Sequence, residues 1–333
     1  MRDVARLARV STATVSRVIN QAGFVSEQLT ERVVRAMKDL NYHPDAVARS
    51  LRTRTTNMVA LVIPDVTNPY YPEAARGVQD VAEENGCVVI LCNTDGELER
   101  ELHFLSVMSQ QRVDGLIINP SVSLFESRQA LVDVQVPVVL ISALPFGPGF
   151  DSVMIDNVQG AYDAVSHLID IGHRRIGLVG GSRALGSGEQ RLQGYMRALV
   201  DHGLPIDEEL ITEAAFTRDG GQECMHRLLS VQAPPSAVFA SSDVMAIGAL
   251  SALHEAGLQA PGDMSVVGFD DIPLAAVTIP KLTTIGQPIY ETGAVAARLL
   301  FERIRGTSRQ DREKVVLRHE LIVRESTRPF EVR

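Results

Sequence analysis

The sequence predicts an α/β chain in which a small helical head precedes two lobes of doubly wound parallel sheet, and three observations carry that prediction. Beyond residue 57, short aliphatic and β-branched runs alternate with longer amphipathic segments, the pattern of strands covered on both faces by helices. The series restarts near Arg175, after the long helical pattern from Ala161 to Gly172, so the strands divide between two lobes. Ahead of them, the first 56 residues hold ten Lys plus Arg against five Asp plus Glu, while the remainder holds 22 against 36.

In the head, Val4, Ala5, Leu7 and Ala8 have the spacing of a short first helix. The next string, Ser11 to Asn20 (STATVSRVIN), opens on two capping residues, Ser11 and Thr12. Val15 and Val18 give it an apolar stripe and leave Thr12, Ala13, Ser16 and Arg17 on the open face. That grammar suits a helix lying in a DNA groove, and it also suits any small helical hairpin. Charge separates the two readings, because a net of +5 attracts a polyanion to the head while the net of −14 elsewhere holds the body away. An acidic pI near 5.4 is therefore no argument against a nucleic-acid partner. Val25 to Leu40 carries apolar residues at Leu29, Val33, Ala36, Met37 and Leu40, with Ser26 as N-cap, and reads as a third helix closing a miniature core. His43 precedes Pro44 and leaves helical angles. Asp45 to Arg52 (DAVARSLR) then reads as a further short helix, and Arg52 to Asn57 as a linker.

Seven runs read as core strands: Met58 to Pro64, Cys87 to Cys92, Gly115 to Pro120, Pro137 to Ser142, Arg175 to Gly181, Ala237 to Ser242 and Ser265 to Asp270. Ligands of such sheets bind beyond the carboxyl ends of strands, which singles out Asp65, Asn93 to Asp95, Ser142 and Asp270. Cys87 and Cys92 lie in a run that reads as a buried strand and Cys224 lies in a helix, so three buried reduced thiols are expected and no zinc site. There is no GxSxG, no phosphate-binding loop signature and no His pair at metal-ligand spacing, which argues against an enzyme and against any cofactor. No apolar run approaches eighteen residues and the first residues are charged, so no membrane association and a cytoplasmic location are expected.

Nine ordered strings then carry a resemblance. These are VSTATVSRVIN, AVARSLR, IPDVTNPYY (63–71), QRVDGLI (111–117), GHRRIGLVGG (172–181), RLQGYMRAL (191–199), SSDVMAIGAL (241–250), SVVGFDD (265–271) and LTTIGQP (282–288). Across essentially its whole length the chain resembles the LacI/GalR family of bacterial transcriptional regulators. The resemblance implies a helix-turn-helix head over 1–44, a hinge helix and linker over 45–56, and a periplasmic-binding-protein-like core over 57–333. The first lobe would comprise about 57–157 and 288–315, the second about 158–287 and 316–333. It implies a homodimer on a pseudo-palindromic DNA operator, with Thr12, Ala13 and Arg17 at base edges. Arg17 suits guanine and Ala13 a thymine methyl, while Thr14, Ser16 and Asn20 would touch phosphates or their own backbone. Leu51, beside Arg52 in the hinge, matches the family's wedge residue, which unstacks a central base step; its alternative is a linker leucine folded on the body. Two departures stand out. Arg9 replaces the usual turn glycine, at about 1 kcal/mol if it is left-handed. The Thr-containing lead that normally caps the first helix is missing, which predicts a loss of roughly 1 kcal/mol in the head.

The same resemblance places an effector between the lobes, at Asp65, Tyr70, Tyr71, Asn93, Arg191, Phe216, Ser242, Asp243, Asp270 and Gln287. Carboxylates and a guanidinium suit vicinal hydroxyls, and the aromatic faces suit a ring. Tyr71 and Phe216 could equally be core aromatics, and Asp243 could cap the helix after it. Ser142 and Ala143 stand where sugar-binding relatives often carry Asp-Arg, which leaves a sugar, a sugar phosphate held by Gly186 to Gly188, or a nucleoside or purine as the effector. Ile289 to Ile304 and Ser152 to His173 are similar to catabolite control proteins, which implies the serine-phosphorylated phosphocarrier HPr as a further partner, through Tyr290, Glu291 and Arg298. A soluble sugar receptor would share the lobes but lack the basic head.

Overall fold

The computed structural model describes residues 1–20, 23–42, 55–111, 113–120, 124–141, 149–307 and 311–331. The expected hinge helix, with Leu51 and Arg52, lies outside the described residues, as do Ser142 and Ala143. The chain separates into two compact units, Met1–Thr56 and Asn57–Arg333.

The first unit holds three helices, α1 (Arg2–Ala8), α2 (Thr12–Asn20) and α3 (Glu27–Asp39). Val4, Ala5, Ala8, Val15, Val33 and Ala36 form its core. Leu7 is exposed rather than packed. At 100° per residue it lies about 100° away from the centre of the face formed by Val4, Ala5 and Ala8, so a two-turn helix cannot bury it. Leu40, expected on the packing stripe of the third helix, is likewise exposed, one residue past its end. Arg9 ends α1 at φ 51°, the left-handed conformation expected there. Arg32 crosses from α3 and donates hydrogen bonds to the Ala8 and Arg9 carbonyls, satisfying acceptors that the helix end leaves open.

The second unit contains two six-stranded sheets. Its first sheet has the order β11-β5-β4-β3-β1-β2 and is parallel throughout. The strands are β1 (Met58–Ile63), β2 (Val88–Asn93), β3 (Gly115–Ile118), β4 (Val138–Ile141), β5 (Asp151–Ile155) and β11 (Lys314–Leu317). Val59, Leu61 and Ile63 of β1 enter one core and Ala60 and Val62 another, because helices cover both faces. The second sheet has the order β12-β10-β9-β8-β6-β7, with only β12 antiparallel. It comprises β6 (Ile176–Gly181), β7 (Ile211–Ala214), β8 (Ala237–Ala240), β9 (Ser265–Asp270), β10 (Thr283–Gly286) and β12 (Glu320–Ile322).

Strand β2 departs from the sequence reading. It is a sheet edge paired only with β1, so Val88 and Leu91 are exposed and Cys87 is half-buried, while Cys92 and Cys224 are buried. Strands β5, β7, β10, β11 and β12 were not among the expected runs. Strand β5 opens on the polar pair Asp151 and Ser152, which is buried because Arg303, Arg312 and the Glu313 amide bind the Asp151 carboxylate. Those bonds hold β11 against β5.

Three crossovers join the lobes: β5 to α7 (Asn157–Asp170), β10 to α11 (Ile289–Arg305), and β11 to β12. Helix α4 (Tyr70–Glu84) packs on α11 so closely that a Cβ at Gly293 would lie 1.9 Å from the Ala74 carbonyl oxygen. A small apolar cluster of Tyr70, Ala74, Val244, Ile272 and Ile289 bridges the two lobes beside these crossovers.

Candidate functional site

The carboxyl ends of the strands in both sheets converge on a cavity of about 630 Å³. From the first lobe come Asp65 after β1, Tyr70 and Tyr71 at the start of α4, Asp95 after β2 and Asn119 after β3. The second lobe contributes Arg191 from α8 (Gly186–Asp201), Phe216 and Thr217 after β7, and Asp270 at the end of β9. Asn157 and Gln287 enter from two of the crossovers.

Arg191 is the centre of the floor. Its guanidinium carbon lies 3.7 Å from the ring centroid of Phe269, its Nε donates to Asn157 Oδ1 at 2.9 Å, and one terminal nitrogen donates to the Ser241 carbonyl. The other terminal nitrogen stands 3.5 Å from Asp270, a charge contact too long for a good hydrogen bond. Gln287 donates through Nε2 to the same carboxylate. Asp270 and Asp271 have φ of 124° and 60°, a strained pair for side chains with a Cβ. They are held by the Gln287 amide, by Asp243 accepting from the Ile272 amide at 2.9 Å, and by Arg324 on Asp271 at 2.7 Å. Burial pushes the Tyr70 and Tyr71 phenols above their usual range, so both remain protonated donors. The tip of the Phe216 ring abuts Gly181, where a Cβ would come within 2.1 Å of its Cζ.

In the head, the Ser11 hydroxyl accepts from the Thr14 amide at 3.0 Å and caps α2. Because Val15 faces the core, Thr12, Ala13 and Arg17 are exposed, Thr14 and Ser16 half-buried. The side chain of Asn20 lies outside the described residues.

Residues 1–45 match the family described as bacterial regulatory proteins, lacI family, and residues 165–327 match the periplasmic binding protein-like domain. The HTH-type transcriptional regulator DegA of Bacillus subtilis (strain 168) is 39% identical over 332 residues, 98% of each chain. The chain belongs to the lacI family. The solved complex of the transcriptional regulator CelR with cellobiose is 35% identical, with a TM-score of 0.76 over 97% of this chain and 98% of its own. The lac repressor dimer bound to operator and the anti-inducer ONPF is 28% identical, with a TM-score of 0.89 over 98% of both chains. This lacI-family chain is therefore a DNA-binding transcriptional regulator with an effector-binding core, and not an enzyme.

Seven of the ten effector residues inferred from sequence line the cavity: Asp65, Tyr70, Tyr71, Arg191, Phe216, Asp270 and Gln287. Three stand behind it, against expectation. Asn93 accepts from the Val66 amide at 2.7 Å and bonds to Asp95, so it shapes the loop that carries Asp65. Ser242 is the N-cap of α10 (Asp243–Glu255) and accepts from the Met245 amide. Asp243 is fully buried and binds Thr284 Oγ1 at 2.6 Å as well as the Ile272 amide, because the first turn of α10 points under the floor. Asn157, Asn119 and Thr217 were missed. Asn157 had one available signal, the Asp156-Asn157 pair that opens a helix, with Asp156 accepting from the Gln159 amide. On α11, the Tyr290 hydroxyl donates to Asp80 and Arg298 pairs with Glu291, a surface network away from the cavity lining.

Proposed function

We propose that this regulator represses carbohydrate genes as a homodimer on a pseudo-palindromic operator, and that a neutral sugar in the cavity changes its operator affinity. Thr12, Ala13 and Arg17 read base edges, while Leu51 and Arg52 act in the minor groove. The sugar bridges Arg191 and Asp270 and stacks on Tyr70, Tyr71 or Phe216.

One observation carries the ligand class. Among the described lining residues, Asp65 and Asp270 outnumber the single guanidinium of Arg191, which Asp270 already partners, while Asp95 is paired with Arg100. An anionic sugar phosphate would meet net negative surroundings, whereas vicinal hydroxyls accept from Arg191 and donate to Asp270 without adding charge. The volume falls within the range of small-molecule sites, and the remaining lining combines amides, hydroxyls and aromatic faces with aliphatic side chains, Ile141, Val153, Met154, Ile155 and Leu185 among them. CelR, a relative solved with cellobiose, supports a sugar.

A thermal-shift screen against pentoses, hexoses, disaccharides, nucleosides, purines and serine-phosphorylated HPr tests the reading. A sugar is expected to raise apparent stability by about 3 kcal/mol at a hundredfold excess over its Kd, and Arg191→Ala is expected to remove that response. A shift from a nucleoside or from HPr alone would replace the sugar.

A further inference from the structure

The polar floor of the cavity is a continuous chain whose two ends lie on different crossovers. It runs from Asn157 to Arg191 Nε at 2.9 Å, from Arg191 to Asp270 at 3.5 Å, and from Asp270 to Gln287. Asn157 is the first residue of the α7 crossover, and Gln287 lies between β10 and α11. The middle of the chain is fixed in the second lobe: Arg191 is stacked on Phe269 and bound to the Ser241 carbonyl, and Asp270 closes β9. Gln287 grips Asp270 twice, through its side chain and through its amide to the Asp270 carbonyl at 3.2 Å. Nothing else in the floor joins those crossovers by hydrogen bonds among the described residues.

The 3.5 Å separation of Arg191 and Asp270 is the weak link. A hydroxyl placed between them accepts from the guanidinium and donates to the carboxylate, so it draws on the same two groups that hold Asn157 and Gln287. The left-handed backbone at Asp270 adds a conformation that persists only while those neighbours over-determine it.

We propose that Asn157 and Gln287 are positioning residues that transmit occupancy of the Arg191–Asp270 pair to two crossovers at once. Their bonds convert a contact on the cavity floor into a coordinated change in two of the segments that join the lobes. This inference rests on the cavity being the effector site, but its test does not require the effector.

Hydrogen exchange on the full chain reads it directly. The amides of Gln159 and Gly160 are bonded to Asp156, and those of Ile289 and Thr292 to Gln287 and Pro288, so each crossover has protected reporters. Gln287→Ala is expected to speed exchange at Gln159 and Gly160 by about fivefold, and Asn157→Ala to do the same at Ile289 and Thr292. Asn157→Asp keeps an oxygen acceptor for Arg191 Nε and is expected to restore protection. A packing route competes, since a Cβ on Gly160 would lie 3.3 Å from Ile285 of β10. The double variant separates the two: in an Arg191→Ala background, Gln287→Ala is expected to have no further effect at Gln159. Exchange confined to the crossover that was cut, or an effect that persists without Arg191, would overturn the proposal. If Asn157→Ala does not fold, the Gln287→Ala pair decides alone. A cavity that binds no sugar would sink the effector reading while leaving the measured communication between crossovers intact.

Discussion

Asp243 shows how one side chain couples the floor of the site to stability. Burial pushes its carboxyl up to about 7, the neighbouring Asp270 charge pushes the same way, and hydrogen bonds from Thr284 and the Ile272 amide oppose the shift. Unfolded, the group titrates near 4. The folded chain therefore holds a proton that the unfolded chain releases, so this contribution to stability is complete below about 4 and is lost as pH rises through about 7. Asp243→Asn keeps an amide oxygen for Ile272 and has nothing to titrate. Melting curves between pH 4 and 7 should show wild type losing stability relative to the variant as pH rises, and parallel profiles would remove the raised proton affinity. The position of Asp243 was not legible in the sequence. Carboxylates after a strand invite a ligand-facing reading, and only the turn of α10 decides that Asp243 points under the floor while Asp270 faces the cavity. Asp65 and Asp270 were legible because strand ends set their direction, whereas Arg191, Tyr70 and Phe216 followed only from the family resemblance.

At the scale of elements, the recognition helix depends on its cap. α2 has nine residues, too few to be stable alone, and the Ser11 hydroxyl satisfies one of the amide donors at its N-terminus. Ser11→Ala should cost the head about 1 kcal/mol and lower its melting temperature without altering that of residues 57–333; an unchanged head would mean that water replaces the hydroxyl. The cap, the apolar stripe and seven strands, β1, β2, β3, β4, β6, β8 and β9, were readable, since each follows from local periodicity. The edge strands β7, β11 and β12 and the interior strands β5 and β10 were not. β11 and β12 alternate half-buried and exposed residues in short runs, and Asp151 in β5 becomes a strand residue only because Arg303 and Arg312 arrive from more than 150 positions away. Strand β2 failed in the other direction, because hydrophobicity alone does not reveal that a strand has one neighbour.

For the whole molecule, the division of charge and the exposed apolar surface point to the same assembly. A head of net +5 on a body of net −14 confines attraction for a polyanion to one small unit, which would cover one half-site of the proposed pseudo-palindromic operator. The proposed homodimer then needs a surface on the body that pairs two copies. The second lobe carries Leu274, Val277 and Ile279 at 46%, 69% and 97% exposure within one segment, a concentration that a solitary chain rarely leaves in water. A second copy of the chain is the cover that symmetry favours, since a two-fold interface pairs a patch with itself. Ile279→Asp should then shift sedimentation from dimer to monomer and weaken specific operator binding by about a hundredfold, as each head loses its tethered partner. Because the side chain is almost fully exposed, stability of the isolated fold should change by no more than about 0.5 kcal/mol. A variant that remains dimeric at micromolar concentration would place the interface elsewhere, with the exposed edge strand β2 as the next surface to alter.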